Sequence, residues 1–143
     1  VLTKAREGLS ERGASVGRVV PAGSVLMTCI AGSPSVIGNV ALADRRVAFN
    51  QQINAITPGP GVDSDFLYTL LLFSKPRIQA ASTKSMKGMV SKGALEKVRL
   101  IWPNEAVQRD IATTFRRIKS LTRRMGDADP LPLFEALQDK LLA

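Results

Sequence analysis

Apolar residues between positions 23 and 58 occur in short runs that are separated by loops of small residues. The runs at residues 25–30, 39–42 and 47–57 are rich in Val and Ile, and Gly, Pro and Asp interrupt them. Such punctuated runs are typical of short strands joined by tight turns. This part of the chain therefore predicts a mainly antiparallel β core. Before it, Gly8 and Gly13 are expected to break any helix in residues 1–15.

Helical periodicity begins after Pro58. The apolar residues at positions 66–73 cover most sides of a predicted buried helix, which Asp63 or Ser64 can cap. Pro76 is expected to kink or restart this helix, with a turn or two continuing to residue 81. A single helical turn at residues 94–97 and a strand at residues 98–101 are predicted to follow.

A long amphipathic helix is predicted from a cap at Asn104 to about residue 125. At about 1.5 Å per residue it would be about 33 Å long. Its apolar seam either packs on the β core of the same chain or pairs with a partner helix as a projecting arm. The interruption at residues 126–130 and the resumed apolar pattern at residues 131–142 favour the arm. The predicted partner-facing residues are Ile111, Phe115, Ile118, Leu121 and Met125.

Composition and charge narrow the class of partner. The 143 residues fit one domain with an appendage, and 45% of them are apolar, as a packed core requires. The formal net charge of +8 indicates a polyanionic partner, either nucleic acid or an anionic membrane. No apolar run is long enough to span a bilayer, so a cytoplasmic protein without a membrane partner is expected.

The residue types present argue against catalysis. The chain has no His and a single cysteine, Cys29, so an internal disulfide, a zinc site and the common catalytic triads are excluded. Cys29 is interpreted as a small buried hydrophobe, and Asp63 and Asp65 as residues of a helix start. We therefore expect no catalytic residue, no metal site and no cofactor.

A cationic stretch carries the candidate binding chemistry. Between Lys75 and Arg99 there are seven Lys or Arg residues and Glu96 is the only acid. The loop at residues 82–93 is polar and broken by glycine, and its lysines, hydroxyls and exposed backbone N–H groups suit phosphate oxygens. Four such phosphate contacts would give a slope of log affinity against log salt of about −3.6. The alternative is a solvated loop whose lysines serve solubility.

The candidate contacts divide by chemistry. Lys84, Lys87 and Lys92 are predicted to contact phosphates, with Ser91 beside them, whereas Arg77, Gln79 and the loop at residues 31–37, with Ser33 and Ser35, are candidates for base contact.

Several sequence blocks, in this order, resemble a known family. They are PAGSVLMTCI (21–30), IGNVA (37–41), FNQQINAI (49–56), FLY (66–68), GMVSK (88–92), LIWP (100–103) and VQRDI (107–111). In order and spacing they resemble the specificity (S) subunit of type I restriction–modification systems, in particular one target-recognition domain with its trailing spacer helix. The resemblance extends from about residue 2 to residue 125.

The resemblance implies an α+β fold: a mainly antiparallel β domain of the target-recognition type with packed helices, followed by a long C-terminal coiled-coil arm. Residues 1–103 would be a partial target-recognition domain and residues 104–143 a helical spacer or dimerisation arm. The implied role is non-catalytic: the domain reads one half of a split site in double-stranded DNA. The implied protein partners are the methyltransferase (modification) subunits and the restriction/translocase subunit.

The resemblance also implies an incomplete protein. The family's domain normally begins upstream of Val1 and a full subunit has two such domains, so we expect either a fragment or a half-subunit that pairs with a second copy through its arm. Two rival functions are open: a coiled-coil assembly scaffold with incidental charge, and an RNA-binding module, which the scarcity of aromatic residues disfavours.

Overall fold

The computed structural model describes residues 8–83 and 88–125, except the side chains of Arg123 and Met125. Short strands dominate its first half and helices its second half. In chain order the elements are α1 (Glu11–Val16), β1 (Arg18–Val20), β2 (Val25–Thr28), β3 (Ile30–Ala31), a 3-10 turn (Pro34–Val36), β4 (Val40–Leu42), β5 (Val47–Phe49), β6 (Ile53–Ile56), α2 (Ser64–Phe73), α3 (Lys75–Ala80), β7 (Gly88–Met89), α4 (Lys92–Leu95) and α5 (Glu105–Met125).

The strands pair in three small antiparallel sheets. The central sheet has the order β4-β2-β6, while β1 pairs with β5 and β3 pairs with β7. Val25 and Met27 of β2 are fully buried and pack with Leu67 and Leu71 of α2. The predicted combination of antiparallel strands with packed helices is thus confirmed.

Five predicted elements differ from the structure. The run at residues 25–30 is two strands of different sheets, β2 and β3, and the helical turn predicted at residues 94–97 is α4 (Lys92–Leu95). The strand predicted at residues 47–57 is two strands, because Asn50 makes a turn in which its Oδ1 accepts from the Gln52 N–H at 3.0 Å. The strand predicted at residues 98–101 is wrong, since these residues have no strand partner. Gly13 does not prevent a helix, because Ser10 caps α1 by accepting from the Gly13 N–H at 3.1 Å.

The predicted helix starts are confirmed for α2 and α5. Asp63 Oδ1 accepts from the N–H groups of Asp65 at 2.8 Å and Phe66 at 3.3 Å, and Asn104 Oδ1 accepts from that of Val107 at 3.1 Å. Pro76 restarts the chain as predicted: α2 ends at Phe73 and α3 begins at Lys75, with the proline in its first turn.

Helix α5 packs against α2 of the same chain. Ala112, Phe115 and Ile118 are buried along this contact, and the ring centroids of Phe115 and Tyr68 are 5.0 Å apart. Arg116 donates to Asp63 Oδ2 at 2.8 Å and to Asp65 Oδ2 at 3.2 Å. These contacts hold the helix to the domain through both an apolar face and ion pairs.

The packing of α5 divides the predicted partner-facing seam. Phe115 and Ile118 are 5% and 7% exposed, so α2 already covers surface that was expected to meet a partner helix. Leu121 is 47% exposed and Ile111 is half-buried, and for these two the interface stays a prediction. The Met125 side chain and the resumed pattern after residue 125 lie outside the described residues, and the division at residue 103 also stays a prediction.

Candidate nucleic-acid interface

The pairing of β3 with β7 brings two polar loops to one place. Ile30 is paired with Met89 and Ala31 with Gly88, so the loop at residues 32–37 starts beside the base of the loop that the sequence predicts to bind phosphate. The Val90 N–H also donates to the Cys29 carbonyl oxygen at 2.8 Å. These backbone bonds join segments about sixty residues apart in the sequence.

Gly88 of β7 lies against the loop at residues 32–37. A β-carbon at this position would lie 3.4 Å from Ile37 Cγ1 and 3.8 Å from Pro34 Cα, which are ordinary van der Waals distances. Only Ser82 Oγ would be closer, at 3.2 Å, and it is the end of a side chain that precedes β7 in the same loop. The fold therefore places Pro34 and Ile37 within contact distance of residue 88.

Gln79 holds the loop at residues 34–37 against α3. Its Nε2 donates to the carbonyl oxygens of Pro34 and Ser35 at 3.2 Å and of Ile37 at 3.1 Å. Sequence reasoning predicted a base contact for this amide. The three bonds instead give its nitrogen a structural role, because two N–H bonds are already shared among three carbonyl oxygens.

Gly38 supports the same attachment of the loop to α3. It has a φ of 79°, which favours glycine, and a β-carbon there would lie 3.2 Å from Lys75 Cγ. Next to it, Lys75 Nζ donates to Asn39 Oδ1 at 2.7 Å. The end of the loop, at Gly38 and Asn39, is therefore in contact with the first turn of α3.

Ser33 and Ser35 present their hydroxyl groups on the outer side of this loop. Both residues are exposed, and their Oγ atoms are 2.8 Å apart. A hydroxyl can donate one hydrogen bond and accept others, so the pair keeps capacity for an outside partner. Sequence reasoning predicted base contact here, and the exposed position is compatible with that prediction.

The predicted phosphate contacts are only partly within the described structure. Lys84 and Lys87 lie outside the described residues. Lys92 is exposed at the start of α4, and its Nζ is 3.7 Å from Glu96 Oε1, a surface contact one helical turn away. Ser91 Oγ accepts from the Ala94 N–H at 3.1 Å, so this hydroxyl caps α4.

Arg77 lies beside two cations that the predicted site omitted. With Lys97 and Arg99 it lines an open cleft of about 390 Å³, and its Nη1 donates to the Arg99 carbonyl oxygen at 3.3 Å. The sequence signal for Lys97 and Arg99 was the run of cations from Lys75 to Arg99. From this run, the predicted site included only Arg77 and the lysines of the loop at residues 82–93.

Cys29 is a buried side chain, as predicted. It is 4% exposed, its Sγ donates to the Gln51 carbonyl oxygen at 3.6 Å, and burial raises the pKa of the thiol. A buried thiol of raised pKa is a poor nucleophile. Among residues 8–83 and 88–125, no group of three or more His, Cys, Asp or Glu side chains is placed to hold a metal ion.

Helices in the described ranges include none that is both long and apolar enough to cross a membrane.

Three solved structures have the same fold, at TM-scores of 0.55 to 0.58. The type I restriction–modification S subunit from M. genitalium is 19% identical (TM-score 0.58), with 70% of this chain and 26% of that chain covered. The HsdS subunit from Thermoanaerobacter tengcongensis is 19% identical (TM-score 0.55), with 87% and 29% covered. A chain from a study of type I R-M complex assembly and conformational transition is 18% identical (TM-score 0.58), with 85% and 29% covered.

The chain thus corresponds to between 26% and 29% of each of these structures. No curated protein matches its sequence. The family model described as the type I restriction modification DNA specificity domain matches residues 15–125, which is most of the chain. This chain therefore belongs to the type I restriction–modification DNA specificity domain family.

Proposed function

We propose that this domain recognises one half of a bipartite site in double-stranded DNA. In this role it is a non-catalytic part of a type I specificity subunit, which directs methyltransferase subunits and the restriction/translocase subunit to the site. Membership of the specificity-domain family supports the DNA partner. The excess of positive charge fits the same partner, since neutralised phosphates supply much of the affinity for DNA.

The observation that carries the proposal is the pairing of β3 with β7. It brings the loop with the exposed Ser33 and Ser35 hydroxyls to the end of the pair at Ala31 and Gly88, while Lys92 follows the other end of the same two-residue strand. Sequence recognition needs hydrogen-bonding groups at base edges together with cations that fix the register on the phosphates. Groups of both kinds lie on the segments that this pairing joins: the hydroxyls on the loop after β3, which α3 holds in place, and Lys92 at the start of α4 after β7.

Selection from a library of duplexes with a randomised segment tests recognition directly. The expected result is enrichment of one short sequence motif, because each mismatched base pair in a specific site costs about 1–3 kcal/mol. Enrichment of no motif, with salt-sensitive binding to all duplexes, would contradict the proposal. If the chain binds no duplex at all, the assembly-scaffold alternative is favoured.

Two variants separate base contact from phosphate contact. The double variant Ser33→Ala with Ser35→Ala is expected to reduce discrimination between the selected motif and unrelated DNA. Lys92→Ala is expected to weaken both equally and to reduce the salt slope by about 0.9, the contribution of one phosphate. Arg12→Ala, which removes an exposed cation on α1, is the charge-matched control.

We further propose that the exposed side of α5 contacts a partner helix. The proposal rests on Leu121, which is 47% exposed one helical turn beyond the buried Ile118. A second copy of this chain or a methyltransferase subunit would meet this surface. The half-buried Ile111 lies near the start of the same helix and is the second candidate contact.

A further inference from the structure

The cleft beside α3 is a strongly charged concave surface. It lies between the end of α3, the helix α4 and the segment at residues 97–99, and it has a volume of about 390 Å³. Three cations line it, Arg77, Lys97 and Arg99, around small side chains that include Ala80, Ala81 and Ala94. None of the lining residues is an acid or an aromatic residue.

The charge in this cleft is not balanced by the protein. None of the three cations forms an ion pair within residues 8–83 and 88–125. The nearest acid in sequence, Glu96, is in contact with Lys92 instead, at 3.7 Å. Three like charges around one concavity repel each other, so the arrangement costs stability unless an anion occupies it.

One of the cations is held in place. Arg77 Nη1 donates to the Arg99 carbonyl oxygen at 3.3 Å, which joins the guanidinium to the opposite wall of the cleft. A fixed guanidinium keeps its remaining N–H donors directed at a ligand and loses less entropy on binding. The small side chains of Ala80, Ala81 and Ala94 leave room for a ligand to approach the backbone of both helices.

We propose that this cleft binds the phosphodiester backbone of DNA, outside the loops that contact bases. The inference rests on the proposed function, because it concerns the same duplex. Arg can also read guanine, but a base-pair edge presents donors as well as acceptors, and the side chains of this lining include no acceptor. Three cations without an acceptor suit the acceptor oxygens of successive phosphates better. Arg77 therefore contacts phosphate, where sequence reasoning predicted a base contact.

The two roles meet on one short helix. Residues two positions apart on a helix point to different faces. Gln79 faces the loop at residues 34–37, and Arg77 faces the cleft. Helix α3 thus links the loop that carries Ser33 and Ser35 to the cleft that would fix the register of the duplex.

The test compares two triple variants of equal charge. The cleft variant removes the three cations of the cleft: Arg77→Ala, Lys97→Ala and Arg99→Ala. The control variant removes three exposed cations elsewhere: Arg12→Ala, Arg18→Ala and Arg124→Ala. Affinity for a selected and an unrelated duplex is measured by fluorescence anisotropy from about 50 to about 200 mM salt. Three lost phosphate contacts make the slope of log affinity against log salt less steep by about 2.7. The factor by which affinity falls over this salt range is therefore roughly 40 times smaller for the cleft variant than for the unsubstituted chain.

The cleft variant is also expected to weaken both duplexes by the same factor, and Arg77→Lys with Arg99→Lys is expected to keep the slope. Equal slopes for the two triple variants would overturn the inference while DNA binding stands. A loss confined to the selected duplex would overturn it in favour of base contact. Saturable binding of inorganic phosphate more tightly than of duplex would overturn it in favour of a small-anion site.

Failure of the proposed function has a different signature. If the unsubstituted chain binds no duplex, the inference fails with the proposed function. If it binds all duplexes alike and no motif is enriched, the proposed function fails, and the salt slopes of the two triple variants on unrelated DNA still test the cleft. Thermal unfolding of each variant shows whether it is folded, and the lysine variant preserves a folded comparison with all three charges present.

Discussion

Gln79 determines the shape of the loop at residues 34–37 through three hydrogen bonds from one amide nitrogen. Replacing it with Ala leaves three carbonyl oxygens to be satisfied by water and frees the loop from α3. We expect Gln79→Ala to lower the free energy of unfolding by about 1 kcal/mol, the usual net value of such bonding. Because Ser33 and Ser35 are on this loop, discrimination between the selected and unrelated duplexes is expected to fall.

The measurement pairs urea unfolding with DNA affinities. Gln79→Glu is the sharper variant, because a carboxylate cannot donate to the carbonyl oxygens and is expected to destabilise the loop more than Ala does. Unchanged discrimination in both variants would show that the amide does not position the reading surface.

Asp63 makes the attachment of α5 sensitive to acid. Burial raises the pKa of Asp63, but hydrogen bonds from Arg116 and from the N–H groups of Asp65 and Phe66 outweigh that effect, so the net pKa is lowered. A carboxyl group with a lowered pKa stabilises the fold above its unfolded pKa near 3.8. This stabilisation is lost as the pH falls through the lower pKa of the folded state.

Asp63→Asn is therefore expected to flatten the loss of stability below about pH 4 while keeping the helix cap, since Asn caps as well as Asp. At neutral pH the loss is expected to be about 0–1 kcal/mol, because the ion pair is largely exposed. Asp63→Ala removes the cap as well and should cost about 1 kcal/mol more. Urea unfolding at several pH values measures the stability of both variants. If the free energy of unfolding falls with pH equally in the unsubstituted chain and in Asp63→Asn, titration of Asp63 does not contribute to the acid sensitivity.

At the scale of the element, α5 offers a matched pair of substitutions one turn apart. Ile118 is 7% exposed against α2, whereas Leu121 is 47% exposed. Ile118→Asp buries a charge in an apolar contact and is expected to cost about 3 kcal/mol or more. Leu121→Asp is expected to change stability by no more than about 0.5 kcal/mol. Equal unfolding midpoints in urea would contradict the packing of α5 on α2.

The elements that sequence reasoning predicted well are those whose signals are local. The starts of α2 and α5 followed from Asp63 and Asn104, because a cap acts within three residues of itself. In the segment at residues 98–101, Val98 and Leu100 pack on the core and Ile101 is 68% exposed, so its alternation reflects burial. It failed as a strand because alternation does not show whether a partner strand exists.

The part of the candidate site that sequence reasoning missed depends on distant residues. The strands β3 and β7 have two residues each, too few for a periodic signal, and they pair across most of the domain. The role of Gln79 likewise depends on carbonyl groups 42 to 45 positions away. Polar residues in the sequence identified candidates for contact, but only the fold distinguished those that position a loop from those that face solvent.

At the scale of the whole molecule, the chain corresponds to little more than a quarter of the S subunits that share its fold. One domain that reads one half-site needs a second domain to read a split site. Two copies related by a twofold axis through the exposed side of α5 would supply it, and they would read half-sites in inverted orientation. Leu121 would then lie at the contact between copies, one helical turn beyond the buried Ile118.

Duplexes with two inverted copies of the selected half-site test this arrangement across a series of spacings. We expect cooperative binding of two chains at spacings that recur with the helical repeat of about 10.5 base pairs, because only these place both half-sites on compatible faces of the duplex. Leu121→Asp is expected to abolish the cooperativity and leave the affinity for a single half-site unchanged, since this residue is remote in sequence from the loops. Quantitative gel-shift titration separates the two effects. Independent binding at every spacing would show that the copies do not pair through α5, and that the second half of the site is read by another domain.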